Sequence, residues 1–326
     1  MDTNVLQALR YKLQKRLKRI NTADYQIFHS VVMQTFQYLG EQPVVRGILD
    51  DLERRVPSAD ADGERIFNGE LRTGETETEH IALCHAVVKR ALASGGDSEI
   101  DVGLRIGHVG EYQKGAEVFT EMFIEPLFDY IDEQIDDRRT VLGLLRKYKH
   151  HVEWFTRDAL LQKYQADTKR GEKVLARDLY AYLHDQGLEF SIEASSASGE
   201  ADLVSAQTGD DRLVADAKIF DPGSDKGIPY LCRGFAQVYQ YTQDYNDPFG
   251  YLVVFKTCRE DLAVNAVNQE SAIPYFTHNN KTIFAVVIDL CDHPEPASKR
   301  GQLKTYTLLE TQLVQTITET QPAPAG

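Results

Sequence analysis

The sequence predicts an α+β or α/β protein in which an N-terminal α-helical region precedes a domain with a mixed central sheet. Two patterns support this prediction. Apolar residues recur at three- and four-residue intervals through most of residues 1–165, as they do along one face of a helix. From Ala166 onward, one more helical segment precedes short runs rich in β-branched and aromatic residues. We therefore predict a helical domain, residues 1–165, and an α/β domain, residues 166–320.

The helical domain begins with an apolar stripe that Leu6, Leu9, Leu13 and their successors form at helical spacing. Further helices are predicted at about residues 23–39, 42–55 and 77–93, and the polar stretches "VPSADADGE" and "ASGGDSEIDVG" are read as breaks between helices. The segment from Gly115 to Tyr164 keeps a helical period, with Pro126 as a start or kink. We expect so long an element to project or to pack against another subunit.

The second domain is predicted to run helix, three strands, helix, strand. Its first helix, "GEKVLARDLYAYLHDQG", ends at the C-cap candidate Gly187. The strand-like runs are "LEFSIEA", "GEADLVSA", "RLVADAKIF", "YLVVFK" and "TIFAVVIDL", with "KTYTLLETQL" as a weak last candidate, and "IPYLCRGFAQVYQYTQDYN" is the second helix. Residues 321–326 are predicted to be a disordered tail.

Composition excludes several classes of protein. With 326 residues, 42% of them hydrophobic, the chain can bury a sizeable core. It has no apolar run of about 18 residues and no apolar leader, so we expect a cytoplasmic protein without a membrane partner. The four cysteines are scattered, which supports neither a disulfide framework nor a zinc site. A net charge of −14 means that any polyanion must be met at a local patch.

Charged residues interrupt the third strand of the second domain. Alternate side chains of a strand share a face, so Asp216 and Lys218 must point the same way. If Thr208–Asp210 form a three-residue hairpin loop, Asp202 falls directly opposite Asp216. A two-residue loop would place the two aspartates on opposite faces, so this arrangement requires an odd loop or a bulge.

Two carboxylates side by side in a sheet repel unless a cation lies between them. Mg²⁺ suits such a site because it accepts one or two carboxylates and completes its shell with water and phosphate oxygens, and Mn²⁺ could substitute. Lys218 could lower the pKa of an attacking water or stabilise the charge that develops on a phosphate. The residues therefore indicate phosphodiester hydrolysis.

Asp202 followed by "D-A-K" at residues 216–218, within this order of elements, resembles the PD-(D/E)XK nuclease superfamily, whose fold is restriction-endonuclease-like. "G-E-A-D" at residues 199–202 resembles the Gly-x-x-Asp form of that motif, although Ala201 stands where the motif has proline. The resemblance implies that Asp202, Asp216 and the carbonyl of Ala217 hold Mg²⁺ and that Lys218 assists the nucleophile.

The second helix of this domain strengthens the resemblance. Gln237 and Tyr241 resemble the QxxxY element of the RecB-like branch, and Arg233 extends their face by one turn. That face is read as distinct from the stripe that packs on the sheet. Gln237 could orient the lysine or a water, while Arg233 and Tyr241 could hold a phosphate. Glu172 at the start of the preceding helix matches a site glutamate of many members, with Asp178 as a competitor.

The resemblance implies a Mg²⁺-dependent endonuclease acting on DNA, with RNA left open as a substrate. Duplex cutting needs two active sites, so we expect a homodimer or higher oligomer built through the helical half. Nucleases with such an extension resemble effectors of bacterial restriction or anti-phage defence, in which the extension senses a signal, oligomerises or docks a partner protein. The alternative is a non-catalytic nucleic-acid- or protein-binding module on a degenerate nuclease fold.

Overall fold

This computed structural model describes residues 5–70, 72–188, 190–193, 203–206, 214–245, 247–265, 273–292 and 303–320. The chain divides into two compact units at Arg139 and Thr140. Among the helices of the described ranges, none is long and apolar enough to cross a membrane. All four cysteines are free thiols. The predicted tail, residues 321–326, lies outside the described residues.

The first unit is built from helices, which confirms the prediction of a mostly helical N-terminal half. They are α1 (Val5–Asn21), α2 (Tyr25–Glu41), α3 (Pro43–Arg55), α4 (Ala59–Phe67), α5 (Glu77–Ser94), α6 (Ser98–Gly107), α7 (Tyr112–Phe119) and the first part of α8 (Glu125–His151). Local signals start two of them. Asp24 caps α2 by accepting from the backbone of Gln26, and Thr76 forms a capping box with Glu79 at α5.

Each of the two polar stretches contains a break between helices, at residues 56–58 and 95–97, but the rest of each stretch begins a helix that the sequence did not predict. The first turns of α4 and α6 contain acidic residues, whose negative charge stabilises the positive N-terminal end of the helix dipole. The glycines inside them allow close packing and do not end the helices. A Cβ on Gly63 would lie 2.6 Å from the Cβ of Ala86, and one on Gly103 would lie 1.9 Å from the carbonyl oxygen of Gly115.

A nearly continuous helical run joins α7, α8 and α9 (Arg157–Ala166) through two π-helical turns, Thr120–Ile124 and Val152–Thr156. The first turn ends two residues before Pro126, which has no N–H to give to the regular helical ladder. The late part of α8 packs within the second unit. Tyr148 is fully buried and packs edge-on against Phe255, with ring centroids 6.4 Å apart. This packing explains why the division falls inside α8, earlier than the change of composition near Ala166.

The second unit contains the predicted order of helix, three strands, helix and strand. Its elements are the end of α8, α9, α10 (Gly171–Asp185), β1 (Phe190–Glu193), β2 (Leu203–Ala206), β3 (Ala215–Phe220), α11 (Ile228–Asp244), β4 (Phe249–Lys256), β5 (Asp261–Asn265), β6 (Tyr275–His278), β7 (Lys281–Asp289), β8 (Thr305–Leu309) and α12 (Glu310–Thr320). The sequence did not predict β5, β6 or α12. "KTYTLLETQL" is divided between β8 and α12.

The central sheet has the order β3-β4-β7-β6. β3, β4 and β7 are parallel and β6 is antiparallel to β7, so the predicted mixed sheet is confirmed. β1 pairs antiparallel with β2, and β5 pairs parallel with β8. The apolar side of α11 packs on one face of the central sheet, and Leu313 and Ile317 of α12 join the same core.

Candidate active site

Asp216 and Lys218 lie on the face of β3 that α11 covers. Only 2% of Asp216 and 9% of Lys218 are exposed, and the Lys218 Nζ lies 2.9 Å from the Asp216 Oδ2. Their neighbours on that face of the strand, Val214 and Phe220, belong to the apolar core beneath α11. Two charges therefore occupy positions that the packing of the sheet would give to apolar side chains.

Gly234 of α11 makes room for the lysine. A Cβ at this position would lie 2.7 Å from the Cγ and 2.9 Å from the Cε of Lys218. Separations below 3 Å would force the lysine or the helix to move. The aliphatic part of Lys218 is thus held against the backbone of α11, and its ammonium group is directed to Asp216.

The carbonyl of Ala217 faces the edge of β3 opposite to β4. The carbonyls of Val214 and Phe220 accept from Tyr251 and Thr257, so even-numbered carbonyls of the strand point to β4. Strand alternation then turns the Ala217 carbonyl to the opposite edge. At this edge Glu172 of α10 accepts a hydrogen bond from the backbone N–H of Ile219, over 3.2 Å.

Of the two acidic residues considered on α10, Glu172 is the one that reaches β3. Asp178 instead accepts from the hydroxyl of Tyr148 over 3.1 Å and lies 3.4 Å from the ammonium of Lys163. Glu172 also lies 3.8 Å from the ammonium of Lys226.

Tyr230, which the sequence analysis did not single out, contacts Glu172 and lies close enough to Asp216 to feel its charge. Its hydroxyl donates to Glu172. Burial raises the pKa of Tyr230, and the hydrogen bond to Glu172 and the negative charge of Asp216 raise it further, so the hydroxyl stays a donor at neutral pH. The guanidinium of Arg233 lies 5.7 Å from the centre of its ring. Spacings of three residues from Tyr230 to Arg233 and of four from Arg233 to Gln237 could have revealed this shared face.

Gln237 donates to the hydroxyl of Tyr241 over 2.7 Å, so the two residues of the QxxxY element contact each other. Tyr241 is only 1% exposed and packs with the core residues of α11, and the expectation of a fully separate polar face is therefore wrong. α11 is covered by the sheet and by α12, which leaves little of its surface open. Arg233, by contrast, is exposed to solvent.

Asp202 lies outside the described residues, as do Gly199 and the hairpin loop Thr208–Asp210. The pairing of Asp202 with Asp216 therefore stays a prediction. In the part of the chain that is described, no three histidine, cysteine, aspartate or glutamate residues converge as a metal site.

No protein-family model, curated protein or solved structure matches this chain. Function must therefore be inferred from the chemistry of the site. Its described parts are a buried Asp–Lys pair, a carbonyl at the strand edge opposite to β4, and a glutamate that the same strand and Tyr230 hold in place.

Proposed function

We propose that the chain is a Mg²⁺-dependent nuclease that hydrolyses phosphodiester bonds in DNA, with α10, β1, β2, β3, α11 and β4 as a restriction-endonuclease-like core. The observation that carries this proposal is the burial of Asp216 and Lys218 together on one face of β3, beside the edge that Glu172 reaches. Removing a charge pair from water costs desolvation free energy. Buried environments that perturb ionisable side chains in this way are typical of functional sites.

The donor atoms fit a hard divalent cation. The Asp216 carboxylate, the Ala217 carbonyl and the Glu172 carboxylate would provide oxygen ligands, and Asp202 would add a further carboxylate. Mg²⁺ or Mn²⁺ bound there would lower the pKa of a water and neutralise charge on the scissile phosphate.

The protein residues divide the remaining work. Lys218, which Gly234 and Asp216 restrain, would donate to the phosphate oxygen on which charge develops. The backbone of Ile219 and the hydroxyl of Tyr230 fix the carboxylate of Glu172. The exposed guanidinium of Arg233 can hold a neighbouring phosphate, and the Gln237–Tyr241 pair orders this face of α11.

Cutting both strands of a duplex requires two such sites, so a homodimer or higher oligomer formed through the helical half is part of the proposal. By analogy with nucleases of similar architecture, we also propose that the chain acts in the cytoplasm, in restriction or anti-phage defence, together with a partner protein.

The test is a cleavage assay with plasmid DNA, linear DNA and RNA in Mg²⁺, Mn²⁺ or EDTA. We expect metal-dependent cutting of DNA that Asp216→Asn and Lys218→Met abolish. Lys256→Met is the matched control, because Lys256 is 4% exposed and lies 3.1 Å from Asp289, in a second ion pair on the next strand. Cutting that survives at Asp216→Asn and Lys218→Met would refute the site, and cutting of RNA alone would make the enzyme a ribonuclease.

One observation favours a second candidate, the non-catalytic binding module. Lys218 and Asp216 are joined directly and are almost completely buried, an arrangement that could serve structure alone. Absence of cutting on every substrate, together with retained binding to nucleic acid in the same samples, would support this candidate.

A further inference from the structure

An exposed face with aromatic and basic side chains lies where α8 meets the second π-helical turn. We call it the aromatic–basic face and define it by Arg146, Lys147, His150, Trp154 and Phe155, all of which are exposed. Trp154 is 74% and Phe155 is 73% exposed, the highest values among the large hydrophobic residues of the described ranges. Neither residue belongs to the candidate active site.

The backbone beneath this face is firmly attached to the sheet. Lys149 donates to the carbonyl of Val287 over 2.6 Å, and Glu153 accepts from the backbone N–H of Asp289 over 2.8 Å. Val152, between them, is fully buried. The outward position of Trp154 and Phe155 is therefore a property of an anchored element and not of a frayed end.

The rings already form a surface suited to stacking. The ring of His150 lies parallel to that of Trp154, with centroids 5.7 Å apart and an interplanar angle of 17°. It also contacts Phe155 at 5.8 Å. Exposing two large aromatic rings to water is unfavourable, so such exposed rings commonly mark a binding surface. π-helical turns, in addition, are frequent at functional sites.

The charge of the segment is opposite to that of the chain. Residues 145–157 contain four Lys+Arg and one Glu, a net of +3, whereas the whole chain has a net charge of −14. Arg146 and Lys147 precede His150 and Trp154 by one or two helical turns, so the two cations lie next to the rings along the helix.

We propose that the aromatic–basic face binds single-stranded nucleic acid. Bases stack on Trp154 and Phe155, while Arg146 and Lys147, about two helical turns earlier, contact the phosphates of the adjoining nucleotides. A duplex is a poor ligand because its bases are already stacked and paired. This site goes beyond the proposed function, since it makes no use of Asp216 or of a metal and can bind whether or not the chain cuts.

The chain offers a built-in probe, because Trp154 is its only tryptophan. We would titrate the full chain in EDTA with oligothymidylate and oligouridylate of about 16 nucleotides and follow tryptophan emission. Stacking should quench the emission saturably, with weaker binding as salt is raised. The two oligonucleotides distinguish DNA from RNA, and a duplex of equal length should bind at least about tenfold more weakly.

Variants assign the contacts. Phe155→Ala keeps the probe and should weaken binding about tenfold. Arg146→Glu with Lys147→Glu should weaken binding as well. It should also reduce the slope of log affinity against log salt concentration by about 1.4, the amount expected for the loss of two phosphate contacts. Trp154→Ala, measured by anisotropy of a labelled oligonucleotide, should act like Phe155→Ala. Tyr112→Ala, at an aromatic residue that is 51% exposed on α7, is the control and should bind normally.

Three results would overturn the proposal. One is the absence of a saturable quench with either oligonucleotide. Another is a quench that Phe155→Ala and the charge variants leave unchanged. The third is a shift of tryptophan emission that anionic vesicles cause, or self-association of the chain seen by sedimentation, that the oligonucleotide does not compete away. Vesicle binding would assign the face to a membrane surface, and self-association would assign it to a second copy of the chain.

Discussion

β3 and β4 lie side by side beneath α11, but they contribute different kinds of side chain to the same layer of the core. Asp216 stands next to Leu252, and Lys218 next to Val254, in a parallel register. Leu252 and Val254 are fully buried apolar residues, and Ala285 and Val287 of β7 continue the layer. One strand fills this layer with aliphatic groups, while its neighbour fills it with an ion pair.

The difference shows that packing beneath α11 does not require charges. Replacing a buried ion pair by apolar residues of similar volume is often neutral or stabilising by about 1–4 kcal/mol. β4 demonstrates that aliphatic residues fit the layer. The charges of β3 are therefore best explained by chemistry, and substitutions at matched positions of the two strands can separate chemistry from packing.

The largest contrast should come from Asp216 and Leu252. We expect Asp216→Asn to lower metal-dependent cutting about a thousandfold or more, because it removes a charged ligand. Leu252→Ala should cost about 2–5 kcal/mol of unfolding free energy but leave the activity of the folded fraction intact. Cleavage rates normalised to folded protein, beside urea unfolding curves, measure both effects. Equal loss of specific activity in both variants would remove the contrast.

A double-mutant cycle on the ion pair should give the next largest effect. Lys218→Met alone leaves the buried Asp216 carboxylate without its cation and should destabilise the fold by about 3–5 kcal/mol. The double variant Asp216→Leu with Lys218→Met should recover most of this loss and remain inactive. Denaturant midpoints of the four proteins test the cycle. A double variant that is as unstable as the sum of the single variants would mean that the fold needs the charges.

Tyr230→Phe extends the comparison to the edge of β3. It removes the hydroxyl that donates to Glu172 and keeps the ring. Loss of such an outer hydrogen bond should weaken metal binding about 10- to 100-fold, with activity restored at high metal concentration. Mn²⁺ binding followed by electron paramagnetic resonance gives a readout that does not depend on turnover. Unchanged Mn²⁺ affinity would show that Tyr230 does not position this carboxylate.

The smallest effect should come from Gly234→Ala, which presses on Lys218. We expect a loss of about 1–3 kcal/mol and a lowered cleavage rate with little change in substrate KM. Gly143→Ala on α8 is the matched control, because an added Cβ there meets nothing within 4 Å. The control should be neutral or stabilise by up to about 1 kcal/mol. If both variants behave alike, Gly234 has no special role beside the lysine.

Local patterns in the sequence predicted the parts of the fold that depend on local physics. The period of two in β3 and the apolar stripes of α1 and α11 are visible without any partner. The existence of a mixed sheet also followed from the order of the elements. The placement of Asp216 and Lys218 on one face needed only strand alternation, whereas their burial depends on the docking of α11.

Other parts were hidden because tertiary contacts decided them. Gly63 and Gly103 look like helix breakers, and only the close approach of other helices explains why they are tolerated. β6 has only four residues, and the signal for its turn, the left-handed pair Asn279 and Asn280, is short. Tyr230 was missed because its partner, Glu172, lies 58 residues away in the sequence.

The π-helical turn at Val152–Thr156 also has an evolutionary consequence. A π turn holds one residue more than an α turn spanning the same hydrogen bond, so it behaves as a one-residue insertion stored in an otherwise regular helix. Deleting one residue there would convert the π turn into an ordinary α turn and leave α9 facing as it does, whereas the same deletion in the regular part of α8 would rotate everything downstream by about 100°. The turn is therefore a place in this helical run where the chain can lose one residue without redirecting α9.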